Sequence, residues 1–429
     1  MKQIHYEAVR ETLYVEQLDN GLELYVLPKQ GFSKTYATFT TRYGSIDNHF
    51  QVEGGEPIRV PDGVAHFLEH KMFEEPDGDV FAKFSSRGAS ANAFTSFDRT
   101  TYLFSATSHV EENLETLLDF VQRPYFSEES VNKEKGIIGQ EIKMYQDHPD
   151  WRLYYGLVEA LFQKHPVRID IAGTIESISQ IDRDTLLACH KAFYHPSNMM
   201  VFVAGGVDPQ RIAKLVRDNQ AAKSFAPQGG IKRFYEAEPE EVLESRRVTQ
   251  LPVALPKCLI GFKEVNSIAN KDPLKTEAAS RVMLDVLFSP SSECYQTLYD
   301  EGLITDNFGH EFNLYPDFAY SAVGGDTKDP DRLTTRILEF IQRYIERGVD
   351  EPSFERSKRK RIGVLLRSMN SPEAIVSEYT KYKYRGIDWF QLLPTYEALT
   401  VDEVNKRIRE HFAVNRMSVS IVTSGETRG

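Results

Sequence analysis

The spacing of apolar residues along the chain predicts alternating strands and helices. Residues 36–42 and 101–106 alternate between apolar and polar side chains, which is the period of a strand with one buried face. Residues 110–122 instead place apolar side chains at helical spacing. The fold class expected from this mixture is α+β, with helices packed on a mixed, largely antiparallel sheet.

The same order of elements occurs twice. LDFVQR at residues 118–123 reappears as LEFIQR at residues 338–343, an offset of 220 residues (338 minus 118). Each copy precedes a charged helix, predicted at 127–145 and 351–368, and each half closes with a Met-containing strand, at 198–204 and 415–422. The chain is therefore predicted to hold two homologous α/β sandwich domains that arose by duplication.

A linker is predicted between the two halves. Residues 218–240 are rich in Gln, Ala, Pro and Gly and end in an acidic cluster, a composition typical of a surface connection. We place the boundary near residue 230, which gives a first domain of residues 1–230 and a second of residues 231–429.

The first half contains the inverted motif His66-Phe-Leu-Glu69-His70. Histidines four residues apart share a helix face, so both imidazoles can reach one ion. In such an H-x-x-E-H arrangement the histidines ligate zinc and the glutamate accepts a proton from the attacking water. The plainer alternative is a polar helix face on which Glu69 pairs with a neighbouring cation. A third ligand is needed to favour the metal.

The helix predicted at 127–145 is the expected source of that ligand. Glu134, Ile137, Ile138 and Glu141 follow the i, i+3, i+4, i+7 pattern, so the two isoleucines predict that both carboxylates face inward. Carboxylates removed from water need a partner, and a cation is the obvious one. The alternative is that these acids pair on a wet surface with lysines of the same helix, Lys135 or Lys143.

Composition narrows the class of protein. A chain of 429 residues with 41% hydrophobic and 27% charged residues, and no apolar run long enough to span a bilayer, indicates a soluble globular protein without a membrane partner. Its net charge of -12 argues against nucleic-acid binding. The first twenty residues lack the apolar core of a secretory signal, so a cytoplasmic location is expected. Three isolated cysteines are predicted to be structural thiols: Cys189, Cys258 and Cys294.

The HFLEH motif, followed by Glu141 within GIIGQEI, resembles the pitrilysin and insulinase family of inverted zinc peptidases. The likeness spans nearly the whole chain and includes GASANAFT at 88–95, HPV at 165–167 and FYHPSNMM at 193–200. Size and motif order are similar to the mitochondrial-processing-peptidase-like branch. The GDVF, GASANAFTSF and EKGIIGQEI stretches resemble the YmfH-like bacterial subgroup.

This resemblance implies a single zinc ion per chain, held by His66, His70 and Glu141, with Glu69 as the base that later passes its proton to the leaving amine. Glu134 is expected to lie behind the ligands and to orient one of them, or the water, through hydrogen bonds. The family also implies that two chains, or two fused copies, enclose a chamber for unfolded peptides.

Residues 89–97 are predicted to form the edge strand that receives the substrate. Small residues alternate there with larger ones, which suits a sheet edge that another backbone can approach. An extended peptide can add to such an edge through main-chain hydrogen bonds. By resemblance, the expected substrate contacts are Asn92, Ala93 and Phe94. An ordinary, closely packed edge strand is the alternative.

One part of the family pattern is missing. Family members usually carry an arginine and a tyrosine in the second half that hold the substrate and stabilise the oxyanion, but Leu298 and Thr305 stand at the aligned positions. Loss of a positioned oxyanion donor costs about 3 kcal/mol of transition-state stabilisation. The chain is therefore predicted to be the metal-bearing subunit of a heterodimer whose homologous, metal-free partner supplies these groups. A homodimer is the alternative.

The function expected from these features is that of a zinc-dependent endopeptidase subunit that cleaves short or unstructured peptides. Two other classes stay open: a non-catalytic assembly protein, which predicts eroded ligands, and an accessory subunit in a protein- or peptide-modification pathway. The basic helix at 353–368 is predicted to be a solvated face, with contact to an acidic partner or a substrate carboxylate as the alternative.

Overall fold

The computed structural model describes residues 1–76, 78–264 and 271–425. The chain folds into two compact units. Unit 1 comprises residues 1–142, 169–235 and 368–384, and unit 2 comprises residues 143–168, 236–367 and 385–429. In the described part of the chain, every helix is too short or too polar to cross a membrane.

The strands, numbered along the chain, are β1 (Lys2–Tyr6), β2 (Glu11–Gln17), β3 (Glu23–Pro28), β4 (Thr35–Thr41), β5 (His49–Val52), β6 (Ile58–Arg59), β7 (Glu74–Glu75), β8 (Gly78–Asp79), β9 (Ser90–Thr95), β10 (Thr100–Ala106), β11 (Met199–Gly205), β12 (Ile231–Arg233), β13 (Arg246–Gln250), β14 (Lys257–Lys263), β15 (Gly309–Leu314), β16 (Ala319–Asp326) and β17 (Met417–Thr423).

The α-helices are α1 (Val64–Lys71), α2 (Phe81–Ser85), α3 (Val110–Val121), α4 (Glu128–Gln146), α5 (Pro149–Leu161), α6 (Ile175–Ser179), α7 (Arg183–Phe193), α8 (Pro209–Ala221), α9 (Pro273–Phe288), α10 (Glu293–Asp300), α11 (Pro330–Arg347), α12 (Glu351–Ser368), α13 (Pro372–Tyr384), α14 (Leu392–Ala398) and α15 (Val401–His411). The predicted helices at 110–122, 127–145 and 351–368 are α3, α4 and α12.

The two large sheets repeat one topology. The sheet of unit 1 has the order β1-β2-β3-β11-β4-β10-β9, and that of unit 2 has the order β13-β17-β14-β16-β15. In each sheet one pair is parallel, β3 with β11 in unit 1 and β13 with β17 in unit 2, and the remaining pairs are antiparallel. The last five strands of unit 1 match unit 2 strand for strand, as duplication requires. The predicted fold class is confirmed.

The predicted linker at 218–240 is wrong at its start and in its middle. Helix α8 continues to Ala221, because Gln220 is buried and its side chain exchanges hydrogen bonds with Gln122. Further on, β12 pairs antiparallel with β5. Both segments have polar compositions that resemble a linker, but tertiary hydrogen bonds hold them in regular structure.

Each unit contains one helix from the other half of the sequence. Helix α5 packs on β13, β14 and β17 in unit 2, and α13 packs on β4 and β11 in unit 1. The approach of α5 is close: a Cβ atom at Gly261 on β14 would lie 2.8 Å from the Leu157 side chain. The compact units exchange residues 143–168 and 368–384, so their limits are not those of the two sequence repeats. The division near residue 230 stays a prediction of where the repeats meet.

Candidate metal centre

Helix α1 carries both motif histidines on one face. It begins after Gly63, whose φ of +90° is a left-handed conformation. A Cβ atom at that position would lie 2.5 Å from the carbonyl oxygen of Ala172, so the close crossing of these two segments requires glycine. The His66 and His70 rings, one helical turn apart, have centroids 4.5 Å apart. His66 is buried and His70 is half-buried.

Helix α4 brings a carboxylate to the two rings. Glu141 Oε2 lies 3.8 Å from His66 Nε2 and 3.5 Å from His70 Nε2. Ligand atoms around a tetrahedral zinc ion are roughly 3.3–3.5 Å apart, so small side-chain adjustments suffice. Within residues 1–76, 78–264 and 271–425, these three side chains are the one group whose ligand atoms all lie within 4.8 Å of one another.

Glu134 supports one of the rings from behind. Its Oε1 lies 3.0 Å from His70 Nδ1. An ionised carboxylate only accepts, so Nδ1 carries the proton and donates, and this tautomer leaves the lone pair of Nε2 directed away from Glu134. Nε2 is the atom nearest to Glu141. This is the arrangement that orients histidine ligands in metal sites.

The charges around the rings fit a divalent cation. Burial lowers the pKa of His66 to about 3, which keeps this imidazole in the neutral form that binds metals. Burial also tends to lower the pKa of His70, but the hydrogen bond to Glu134 and the charges of Glu69 and Glu141 raise it above its ordinary value. Three carboxylates thus surround one ring, a surplus of negative charge that a bound cation would neutralise.

Glu69 lies beside the proposed ligands with one oxygen already engaged. The Thr95 hydroxyl donates to Glu69 Oε2 at 2.6 Å. Burial raises the pKa of Glu69, and the hydrogen bond from Thr95 opposes that shift. Sequence reasoning did not single out Thr95. The available signal was the alternation of β9, which places Thr95 on the same side of the strand as Ala93, two residues earlier.

The orientation predicted for Ile137 is wrong. Ile138 is fully buried, but Ile137 is 48% exposed. The buried face of α4 is formed by Val131, Ile138 and Ile142. Successive residues turn by about 100° around a helix, so Ile137 points well away from that face. Glu134 and Glu141 are half-buried on the rim of the buried face rather than at its centre.

Strand β9 forms an edge of the large sheet of unit 1, next to β10. Asn92 and Phe94 are exposed on one side of the strand, and Ala93 is half-buried on the other. The Ala93 backbone N–H donates to Asn92 Oδ1 at 2.9 Å. The three predicted substrate contacts therefore lie on the strand that holds Thr95, and Thr95 contacts Glu69.

In unit 2, ion pairs join α9 to α12, the helix that follows the repeated LEFIQR segment as α4 follows LDFVQR. Counted from their first residues, Glu134 and Glu141 of α4 correspond to Ser357 and Val364 of α12, because both helices start 223 residues apart (351 minus 128). Serine and valine have no carboxylate to offer a metal ion. Among the residues of unit 2 that the structure describes, no group of three His, Cys, Asp or Glu side chains could hold one.

Two residues of the basic helix predicted at 353–368 make these ion pairs with α9. Lys360 Nζ lies 2.6 Å from the buried carboxylate of Asp285, and Arg361 pairs with the same group. Burial favours protonation of Asp285, yet His310 and Arg361 lower its pKa to about 2. Lys360 and Arg361 are thus bound within unit 2, whereas Arg356 and Arg359 remain exposed as the solvated-face prediction expects.

The positions aligned with the family arginine and tyrosine carry no cation or phenol. Leu298 is fully buried, and Thr305 donates to Asn307 Oδ1 at 2.7 Å. The three cysteines are buried and free, in agreement with structural thiols.

Two family models match the chain. Residues 59–175 match the model described as "Insulinase (Peptidase family M16)". Residues 180–361 match the model described as "Peptidase M16 inactive domain".

Individual relatives cover almost the whole chain. It is 50% identical over 421 residues to the uncharacterized zinc protease YmfH of Bacillus subtilis (strain 168), an alignment that covers 98% of each protein. Among solved structures, it is similar to an M16-like peptidase from Alicyclobacillus acidocaldarius, with a TM-score of 0.92, 42% identity and coverage of 96% and 98%. A protease from Helicobacter pylori shares the fold at 18% identity, with a TM-score of 0.83 and coverage of 96% and 99%.

Proposed function

The chain belongs to the insulinase (M16) family of peptidases, and from this premise we propose that it is a zinc-dependent endopeptidase subunit that hydrolyses short or unstructured peptides. The observation that carries the proposal is the approach of His66 Nε2, His70 Nε2 and Glu141 Oε2 to one another beside the carboxylate of Glu69. The residues fit one zinc ion per chain, since two imidazoles and a carboxylate are a common donor set of catalytic zinc.

When bound, zinc supplies Lewis-acid chemistry that makes water nucleophilic near neutral pH. The chain's own residues would do the rest. Glu69 accepts the proton of the attacking water and passes it to the leaving amine. Glu134 holds the Nδ1 proton of His70, so that the ring keeps one tautomer and one orientation.

The edge strand β9 supports the choice of an extended peptide as substrate. A peptide that adds to this edge needs main-chain donors and acceptors, and the Ala93 N–H is held by the side chain of Asn92 in the free protein. We propose that the substrate backbone takes the place of Asn92 Oδ1, with Phe94 contributing apolar surface. A folded protein rarely offers a free extended segment, so short or unstructured peptides fit best.

We further propose a homologous, metal-free partner chain. Leu298 is in the core and Thr305 is bonded to Asn307, so neither offers a charged or phenolic donor to an oxyanion. A partner that carries an arginine and a tyrosine at the corresponding positions would supply the missing stabilisation. A homodimer would lack it.

The proposal is tested by digesting a peptide library with the zinc-loaded chain, alone and mixed with a metal-free homologue from the same cell. We expect weak cleavage by the lone chain and a rise of about a hundredfold with the partner, because one oxyanion donor is worth that much. The matched control is the same partner with its arginine replaced by alanine. A chelator should abolish cleavage in every mixture.

Two results would contradict parts of this proposal. Full activity of the lone chain would remove the need for a partner. Stoichiometric zinc without cleavage in any mixture would favour the accessory role in a modification pathway over peptide hydrolysis.

Glu134 gives a graded prediction for metal affinity. Glu134→Ala should weaken zinc binding by about 10–100-fold, since the ring of His70 loses its orienting acceptor. Glu134→Gln keeps a carbonyl acceptor for the His70 ring and should weaken zinc binding less than Glu134→Ala does. Competition with a chromophoric chelator measures both, and Glu129→Gln, an exposed acid in the first turn of the same helix, is the control. Equal affinity in all three variants would exclude a supporting role for Glu134.

A further inference from the structure

We propose that Thr95 is a positioning residue for Glu69 and that its hydroxyl holds the carboxylate in the orientation in which it serves as the base. This inference rests on the proposed peptidase function and adds a residue to it. Thr95 binds no metal and reaches the chemistry through Glu69.

Thr95 gives Glu69 one short hydrogen bond. Its hydroxyl donates to Glu69 Oε2 at 2.6 Å. A carboxylate offers about four acceptor positions, so this donor orients the group from one side and leaves other lone pairs free to take a proton. Hydrogen bonds to charged groups are also stronger than neutral ones.

Glu69 is a nearer acceptor for the Thr95 hydroxyl than the neighbouring Thr100 hydroxyl is, at 2.6 Å against 3.4 Å. Thr100 lies opposite Thr95 in the ladder between β9 and β10, with the two hydroxyl oxygens 3.4 Å apart. Thr100 donates its own proton to the carbonyl oxygen of Tyr43 at 2.9 Å. Because its proton is used on Tyr43, Thr100 does not compete with Thr95 as a donor to Glu69.

Glu69 needs such a restraint because a glutamate side chain has three rotatable bonds. Proton transfer requires the base to be held close to one geometry, and a free carboxylate would divide its time among several rotamers. Thr95 is well suited to the task, since it is β-branched and ends a paired strand, so its own side chain has few conformations.

The location of Thr95 joins substrate binding to the base. It lies two residues after Ala93 on the strand to which we assign the peptide, and the same strand therefore sets both the substrate backbone and the carboxylate. Main-chain pairing and base orientation would then share one rigid element, which is the arrangement that keeps catalytic groups in register.

The test compares Thr95→Val and Thr95→Ser at full zinc loading. Valine keeps the shape and removes the hydroxyl, and we expect kcat to fall about 10–100-fold with KM and zinc content within about twofold of the parent. Serine restores the donor and should recover kcat to within about threefold. The control is Thr38→Val, which removes a buried hydroxyl of the same sheet that has no hydrogen-bond partner among the described residues.

A crystal structure of each zinc-loaded variant gives a readout that does not depend on turnover. The Glu69 carboxylate should be ordered in one position in the parent and in Thr95→Ser, and displaced or multiple in Thr95→Val. An unmoved carboxylate in Thr95→Val, an unchanged kcat, or a serine variant as impaired as the valine variant would each overturn the inference. Zinc-loaded parent protein that cleaves nothing, alone or with a partner chain, would instead reject the proposed function, and the position of Glu69 would still decide the role of Thr95.

Discussion

Glu69→Gln should retain its zinc and lose about 10³-fold in kcat/KM for any peptide that the parent chain cleaves. Glutamine has the size of glutamate, and its carbonyl oxygen can still accept the hydrogen bond that Thr95 donates. It cannot take up a proton at neutral pH. The proposed ligands His66, His70 and Glu141 are untouched, so metal binding and folding should change little.

The measurement is steady-state hydrolysis of a fluorogenic peptide, with zinc determined by elemental analysis on the same samples. Glu115→Gln, which changes an exposed acid on α3, controls for the loss of one negative charge. Hydrolysis that persists in Glu69→Gln at the level of Glu115→Gln would remove Glu69 from the role of base.

His70→Ala should lose both zinc and activity. It deletes one of the three proposed protein ligands, and it leaves the half-buried carboxylate of Glu134 without its hydrogen-bond donor on α1. Zinc at a hundred times its dissociation constant stabilises a folded protein by about 2.7 kcal/mol. Added zinc should therefore raise the melting temperature of the parent and leave that of His70→Ala unchanged.

The control is His5→Ala, which removes an exposed histidine on β1 whose Nδ1 lies 3.0 Å from the hydroxyl oxygen of Thr12. Circular dichroism of the metal-free proteins confirms that each variant is folded before zinc is added. Parent-like zinc content in His70→Ala would show that the metal, if any, is bound elsewhere, and the proposed centre would be abandoned.

Local geometry explains what could be predicted from the sequence. The α-helical period places residues four apart on one face, so the HFLEH spacing alone predicted that His66 and His70 would approach each other. Strand and helix periods likewise predicted α3, α4 and α12 to within a residue or two, since each depends on neighbouring residues only. The repeated order of elements predicted the duplicated architecture for the same reason.

Contacts between distant segments depended on packing. Nothing local to Glu141 specifies that it meets α1. The isoleucine pattern also put Ile137 on the buried face of α4, which in the structure is formed by Val131, Ile138 and Ile142. The hydrogen bond from Thr95 to Glu69 joins a strand to a helix 26 residues away. The exchange of α5 and α13 between the units also has no signal in either helix, because an amphipathic helix can cover any apolar sheet of suitable shape.

The amino-acid sequence by itself determined the identity of the chemical groups and their spacing within each element, because backbone geometry sets those periods. Only the tertiary structure decided which elements share a site. It brings Glu134 to His70, Thr95 to Glu69 and, in unit 2, Lys360 to Asp285. These choices follow from how buried surfaces and charges are satisfied across long sequence separations, which no short window of residues encodes.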